Sequence, residues 1–320
     1  MRCDVNDGAV LRLGLRRRLS ISTMQFRPDI TLRNVFIALA LVLCGVCPAQ
    51  AQDAAALRAR HAGLRDALAT NEFKEPIVLA SSERSDSLQG DIDARIDQPF
   101  ATVGPALQGV GHWCDILILH LNVKQCRSGD SKGPDALQLV IGQKHDQSLD
   151  EAYRFAFSYD VVASRADYLQ VQLKADEGPL GTSGYRIVLE VAPLDAKRSI
   201  VHMSYAYRYG VAARLAMQGY LATVGRNKVG FSVVGSTPDG QPLHIAGTRG
   251  VIERNTMRYY LAIEAYLGAL SLPPAQQFEK RLADWQSGVE RYPVQLRELE
   301  RSDYLAMKRE QVRRQPAAGG

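Results

Sequence analysis

The chain has 320 residues, 46% of them apolar and 23% charged, which excludes a disordered or fibrous protein and leaves material for a sizeable core. Its formal charge is +5, but residues 1–51 hold seven arginines and three aspartates and so supply +4 of it. Residues 52–320 are nearly neutral, without the basic excess that nucleic acid or an anionic membrane surface would demand.

The first element is a leader. The segment NVFIALALVLCGVCPAQ, residues 34–50, is preceded by Arg27 and Arg33 and runs into Ala49-Gln50-Ala51. A charged n-region, an apolar h-region and an A-x-A site make a secretory signal peptide over 1–51, and a start at Met24 would give it an ordinary length. The apolar run Val35–Val46 is shorter than the roughly 20 residues a bilayer crossing takes. The expectation is cleavage after Ala51, a periplasmic or secreted protein and no stable membrane span afterwards; a retained anchor is the alternative. Residues 52–74, including AAALRARHAGLRDALA, read as a weakly amphipathic N-terminal helix.

Cleavage would remove Cys3, Cys44 and Cys47 and leave Cys114 and Cys126. A surviving pair in an oxidising compartment points to a disulfide. Zinc held by both cysteines with His112 and His120 is the sharper alternative, but neither C-x-x-C nor H-x3-H spacing is present. Two free thiols are the third option. Residues 99–121 read as two short helices, with Trp113, Ile116, Leu117, His120 and Leu121 on one stripe. Asn122–Cys126 then starts a strand, an arrangement that brings the two sulfurs together.

Elsewhere the period is two. Leu88, Gly90, Ile92, Ala94 and Ile96 share one face, with Asp91, Asp93, Arg95 and Asp97 on a face expected to be solvated. ALQLVIGQK (136–144), YRFAFSYDV with its stripe Tyr153, Phe155, Phe157 and Tyr159, YLQVQLK (168–174) and YRIVLEV (185–191) come next. The last long strand carries Val201, Met203, Tyr205, Tyr207 and Tyr209 on one side. Turn signals at Gly133-Pro134, Asp176–Pro179 and Pro193–Asp195 separate these runs, so six or seven strands form an antiparallel meander. A helix is expected over 212–224. A long one is expected over 250–270, with Ile252, Tyr259, Ile263, Tyr266 and Leu267 at helical spacing and Pro273-Pro274 ending it. Residues 273–320 read as a charged helical tail that ends in disorder.

Strand, two short helices, antiparallel strands and a long helix: this order, with GDIDARIDQPFATV and Trp113 just beyond it, resembles the START-like (helix-grip, SRPBCC) superfamily of polyketide cyclases and lipid-transport proteins. The chain also looks like uncharacterised exported bacterial proteins within it. The resemblance covers residues 75–272 and implies an α+β fold in which a curved antiparallel sheet wraps a long C-terminal helix. Residues 210–250 depart from the pattern as an insertion, a lid or a dimer element. The resemblance also implies a cavity for a hydrophobic small molecule or lipid, walled by Phe155, Phe157, Tyr159, Tyr205, Tyr207, Tyr209, Tyr259 and Ile263. A packed core with ordinary cross-strand tyrosine pairs is the alternative.

No motif for catalysis, metal or cofactor is present: there is no nucleophile elbow, H-E-x-x-H, Walker loop or dinucleotide fingerprint. In DIDARID the position where a calcium loop needs glycine holds Ile96. GPLGTSG (178–184) reads as a hairpin turn. A cyclase- or hydrolase-like reaction in the cavity would use Glu253 as base, with Tyr259 or His202 as acid. A third reading is a cell-envelope protein that docks a partner through its C-terminal helix. The primary reading is a binding or carrier protein with no catalytic residue, cofactor or metal, and no assigned protein partner.

Overall fold

The computed structural model describes residues 53–130 and 133–315, which belong to one unit, Gln52–Gly320. The signal peptide assigned to 1–51 and the chain end at 316–320 lie outside the described residues.

Eight strands form one antiparallel sheet in the order β1-β2-β8-β7-β6-β5-β4-β3. They are β1 (Ile77–Glu83), β2 (Ser87–Ile96), β3 (Val123–Asp130), β4 (Gly133–Ile141), β5 (Tyr153–Arg165), β6 (Tyr168–Glu177), β7 (Thr182–Pro193) and β8 (Ser199–Tyr209). Strands β3 to β8 are the expected meander, and β2 pairs with β8, setting Ile92 opposite Met203. The strand not foreseen is β1. It lies at the sheet edge, and of IVLASSE only Ile77 is fully buried, so its sequence carries little apolar signal.

Two alternations set the two faces of the sheet. Leu88, Ile92, Ala94, Leu173, Leu189, Val191, Val201 and Met203 belong to the core on the concave side. The long helix α6 (Gly247–Gly268) lies there. It comes so close to β2 that a Cβ on Gly90 would sit 2.2 Å from the Thr256 hydroxyl, which explains the glycine in an otherwise bulky stripe. Two short helices, α3 (Phe100–Gln108) and α4 (Val110–Leu117), come after β2 and bring Val103, Leu107, Trp113, Ile116 and Leu117 into the same core. Cys114 on α4 is joined to Cys126 on β3, with Cα atoms 5.3 Å apart, so the sulfurs bond each other and hold no zinc.

The convex face is not fully solvated. The N-terminal helix α1 (Ala54–Gly63) lays Ala54 and Leu57 on Tyr168, Ala192 and Ile200. Its Arg60 donates to both oxygens of Asp93, at 2.5 and 2.7 Å, and His202 Nδ1 lies 3.1 Å from Asp93. Burial alone would raise the Asp93 pKa, but hydrogen bonds from His202 and Arg60 outweigh it and hold the carboxyl below its usual range. Alternation assigned Asp93 to the outer face correctly, yet a helix covers that face here.

The segment beyond residue 273 is not an appendage. Helices α7 (Pro274–Glu290) and α9 (Arg301–Arg313), joined by the short α8 (Pro293–Leu296), enclose the side of α6 turned away from the sheet. Trp285 donates to the Arg258 carbonyl at 3.1 Å and stacks on Tyr304, which donates to the Leu119 carbonyl at 3.0 Å. Both rings are fully buried. Most of the segment's charges lie outside, Lys308 and Arg281 being buried exceptions, and they conceal a few large residues that complete the core. Residues 311–313, expected in the disordered end, are the last turn of α9.

This packing has two measurable consequences. Replacing Cys114 and Cys126 together by serine should lower stability by about 2–4 kcal/mol in denaturant melts. Trp285→Ala should cost about 3–5 kcal/mol, the range for a fully buried aromatic; a loss below about 1 kcal/mol would mean that the C-terminal helices are a free tail after all.

Candidate ligand cavity

Strand alternation places Phe155 and Phe157 of β5, Tyr185 of β7 and Tyr205, Tyr207 and Tyr209 of β8 at the same end of the concave face. Opposite them, Thr248, Val251, Asn255 and Tyr259 form one stripe of α6, at helical spacing of three and four. Between these walls lies a cavity of about 330 Å³. Its roof is the helix α5 (Val211–Ala222), which contributes Ala213, Ala216, Met217 and Tyr220. Leu88, His120, Asn122, Ile141 and the turn Pro179–Thr182 close the sides.

The aromatic walls are packed on one side and open on the other. Tyr185 and Tyr207 stack with ring centres 5.2 Å apart, Tyr205 meets Tyr259 edge-on at 5.1 Å, and His120 stacks on Tyr259 at 4.7 Å. Burial raises the pKa of Tyr185, Tyr205, Tyr207 and Tyr259, so all four stay neutral at physiological pH. Burial, reinforced by the charges of Arg258, Lys308, Lys144 and Lys124, pushes His120 well below the usual histidine range. Among the described residues, no aspartate, glutamate, lysine or arginine belongs to the lining. The cavity is therefore apolar and aromatic with a few neutral polar groups, the make-up of a small-molecule site.

Helix α5 is the insertion's contribution to the site. Arg214 donates to the Ser85 carbonyl at 2.5 Å, and Lys144 donates to the Tyr220 hydroxyl at 3.0 Å. These ties hold the roof to the β1–β2 turn and to the segment after β4. At the rim, Leu180 has a left-handed backbone, φ 58°, which costs a non-glycine residue about 1–2 kcal/mol. It falls in the expected hairpin turn between β6 and β7.

Six of the eight expected wall residues are in the lining: Phe155, Phe157, Tyr205, Tyr207, Tyr209 and Tyr259. Tyr159 and Ile263 are not. Tyr159 continues the β5 stripe under α3, where its hydroxyl donates to the Gln108 carbonyl and burial pushes its pKa up to about 12. Ile263 continues the α6 stripe by one turn, but α4 packs there and the core is solid. The expectation missed Tyr185, although it shares the alternation of Ile187, Leu189 and Val191. It also missed the roof, where Ala213, Ala216, Met217 and Tyr220 have plain helical spacing. His120 is legible in the sequence as a member of the helical stripe and as a candidate zinc ligand, not as a wall residue.

Of the candidate acids and base, Tyr259 is in the cavity wall, whereas Glu253 and His202 are elsewhere. Glu253 is fully buried, and its carboxylate accepts from the Ser81 hydroxyl at 2.6 Å, the Ser232 hydroxyl at 2.7 Å and the amides of Phe231 and Ser232 at 2.6 and 2.9 Å. It fastens the segment after α5 to β1. His202 belongs to the convex face with Asp93. A broader groove of about 1080 Å³ along β4–β6 is lined by Asp135, Arg154, Asp160, Lys174 and Glu177, all exposed, and is a solvated surface. Among the described residues, no cluster of histidine, cysteine, aspartate and glutamate has the geometry for a metal ion. No helix among them is long and apolar enough to cross a membrane.

No protein-family model matches the chain, and no curated protein matches it either. Similar solved structures include truncated norcoclaurine synthase from Thalictrum flavum, at 14% identity over 44% of this chain and 91% of that one, TM-score 0.30. A START superfamily protein from Mycobacterium smegmatis has 10% identity over 46% and 92%, TM-score 0.28. The lipid transfer and protein localization domain of human StarD13 has 8% identity over 45% and 76%, TM-score 0.29. The sheet order, its antiparallel register and the long helix gripped on the concave face decide the architecture. The fold is of the helix-grip type, an antiparallel sheet around a long helix. At these identities nothing about ligand or reaction carries over, and the cavity has to be read from its own walls.

If those walls face a cavity, Tyr207→Ala should cost only about 1–2 kcal/mol, well under the roughly 3–5 kcal/mol of a fully packed aromatic, because one side of the ring has no core against it. The same variant should bind a hydrophobic dye such as N-phenyl-1-naphthylamine more weakly. Denaturant melts beside dye titrations check both.

Proposed function

We propose that this chain is an exported protein that binds and carries a small hydrophobic molecule or lipid in the cavity between α6, the concave sheet face and α5. The observation that carries the reading is the composition of the walls: about 330 Å³ bounded by aromatic and aliphatic side chains, with neutral hydroxyls, amides and one imidazole as the polar groups. A cavity lined this way favours an apolar guest over water, since burying apolar surface is favourable by roughly 25 cal/mol per Å². A solid core would not leave so much space, because interiors pack at crystal-like density.

Export is supported by the leader-like sequence of residues 1–51 and by the Cys114–Cys126 bond, a linkage that persists in oxidising compartments. A cyclase- or hydrolase-like reaction is less favoured, since the candidate base Glu253 and the candidate acid His202 are both engaged away from the cavity and only Tyr259 of the three is in its wall. Docking of an envelope partner through the C-terminal helices is not favoured either, because Trp285 and Tyr304 turn inward.

One preparation tests both halves. Native mass spectrometry of protein recovered from the exported fraction should show a retained hydrophobic molecule, and the denatured spectrum should show a chain that begins at Gln52. A protein that carries nothing and takes up no hydrophobic dye would refute the carrier reading. A mature chain that keeps residues 24–51 would refute export by cleavage.

A further inference from the structure

His120 stands out in the cavity wall. It is 3% exposed, and its Nδ1 accepts from the Asn122 amide at 3.2 Å. Burial keeps the ring neutral, so its one proton is on Nε2. That Nε2–H is buried and has no hydrogen-bond partner. Tyr259 stacks on its ring, and the side-chain amides of Asn122 and Asn255 belong to the same cavity lining. None of them offers Nε2 an acceptor in this arrangement, although buried donors are almost always paired.

The charge behind this end of the cavity is unbalanced. Arg258 and Lys144 both donate to one carboxylate, Glu298, at 3.0 and 2.6 Å. Arg258 also donates to the side chain of Asn255 at 3.3 Å, and its Nε has no partner. Lys124 gives its hydrogen bonds to the carbonyls of Leu121 and His145, and Lys308 gives its own to those of His120 and Val123. Among the described residues, Asp146 is the further carboxylate that acts on this group, through Lys124.

We propose that the cavity selects an apolar molecule ending in a carboxylate, and that Nε2–H of His120 donates to that carboxylate. The inference rests on the carrier reading and adds the chemistry of the guest's buried end. The apolar body lies among Phe155, Tyr185 and Tyr207, and the carboxylate lies against His120 beside Asn255, where it completes an orphaned donor and meets the positive field of Arg258. An ammonium end would bring no acceptor and would be repelled there.

The test is displacement of N-phenyl-1-naphthylamine by dodecanoate and by dodecylamine, which share a chain length and differ in the charged end. In the unaltered protein dodecanoate should displace the dye at a concentration at least about tenfold lower than dodecylamine, the ratio that 1.4 kcal/mol of selectivity gives. In His120→Leu that ratio should collapse toward one, whereas His120→Gln, which keeps a donor, should retain part of it. Because each ratio is taken within one protein, a change in dye affinity does not distort it. Should His120→Leu fail to fold, nitrogen-detected NMR of the unaltered protein gives a second readout: the Nε2 resonance of His120 should move on adding dodecanoate and stay in place with dodecylamine. Equal displacement by both probes, or a ratio unchanged in both variants, would overturn the assignment while leaving the carrier reading intact. A dye that never enters the unaltered protein would overturn the carrier reading, and this inference with it.

Discussion

Everything in this fold depends on burying one helix on all sides. Helix α6 presents Ile252, Met257, Leu261, Ile263 and Tyr266 to its surroundings with almost no exposed face, so it needs partners all round. The sheet supplies one side, approached closely enough to require glycine at position 90. The C-terminal helices supply the other through Trp285 and Tyr304. Neither partner is optional, which is why a highly charged segment at the end of the chain behaves as core.

The cavity arises where that enclosure is incomplete. Along one stripe of α6, Tyr266 and Ile263 meet α4 and are packed solid, while Tyr259, Asn255, Val251 and Thr248 run beyond it. Strands β5, β7 and β8 extend past the same point and bring their aromatic ends with them. Over this stretch the roof is α5, whose inner face is Ala213, Ala216, Met217 and Tyr220, and it leaves room where α4 does not.

Buried charge in this protein works as fastening. Glu253 holds the segment after α5 to β1, Arg258 and Glu298 hold the C-terminal helices to α6, and Arg60 with Asp93 holds α1 to the convex face. Each makes several hydrogen bonds, as a buried charge must, although Nε of Arg258 has no partner. Lys308 ties α9 to the carbonyls at the end of the α4 turn, and burial pushes its pKa well below the usual lysine range.

Local periodicity was enough to define the meander, the two short helices, the long helix and the facing of the tyrosine stripe, because alternation and helical spacing are properties of a few neighbouring residues. The Cys114–Cys126 pairing was also legible, from the two cysteines that lie beyond the expected leader and the helix-to-strand turn between them. Three things were not. Edge strand β1 has too few apolar residues to announce itself, and the partners that hide Asp93 and Trp285 are distant in the chain. Tyr159 and Ile263 lie on the right stripes but beyond the cavity's end. A stripe fixes which way a side chain points, whereas only the packing of α3, α4 and α5 against it decides whether the space in front is filled. His120 shows the same division: its helical stripe could be read from the sequence, but its unpartnered nitrogen exists only because the folded chain brings no acceptor to it.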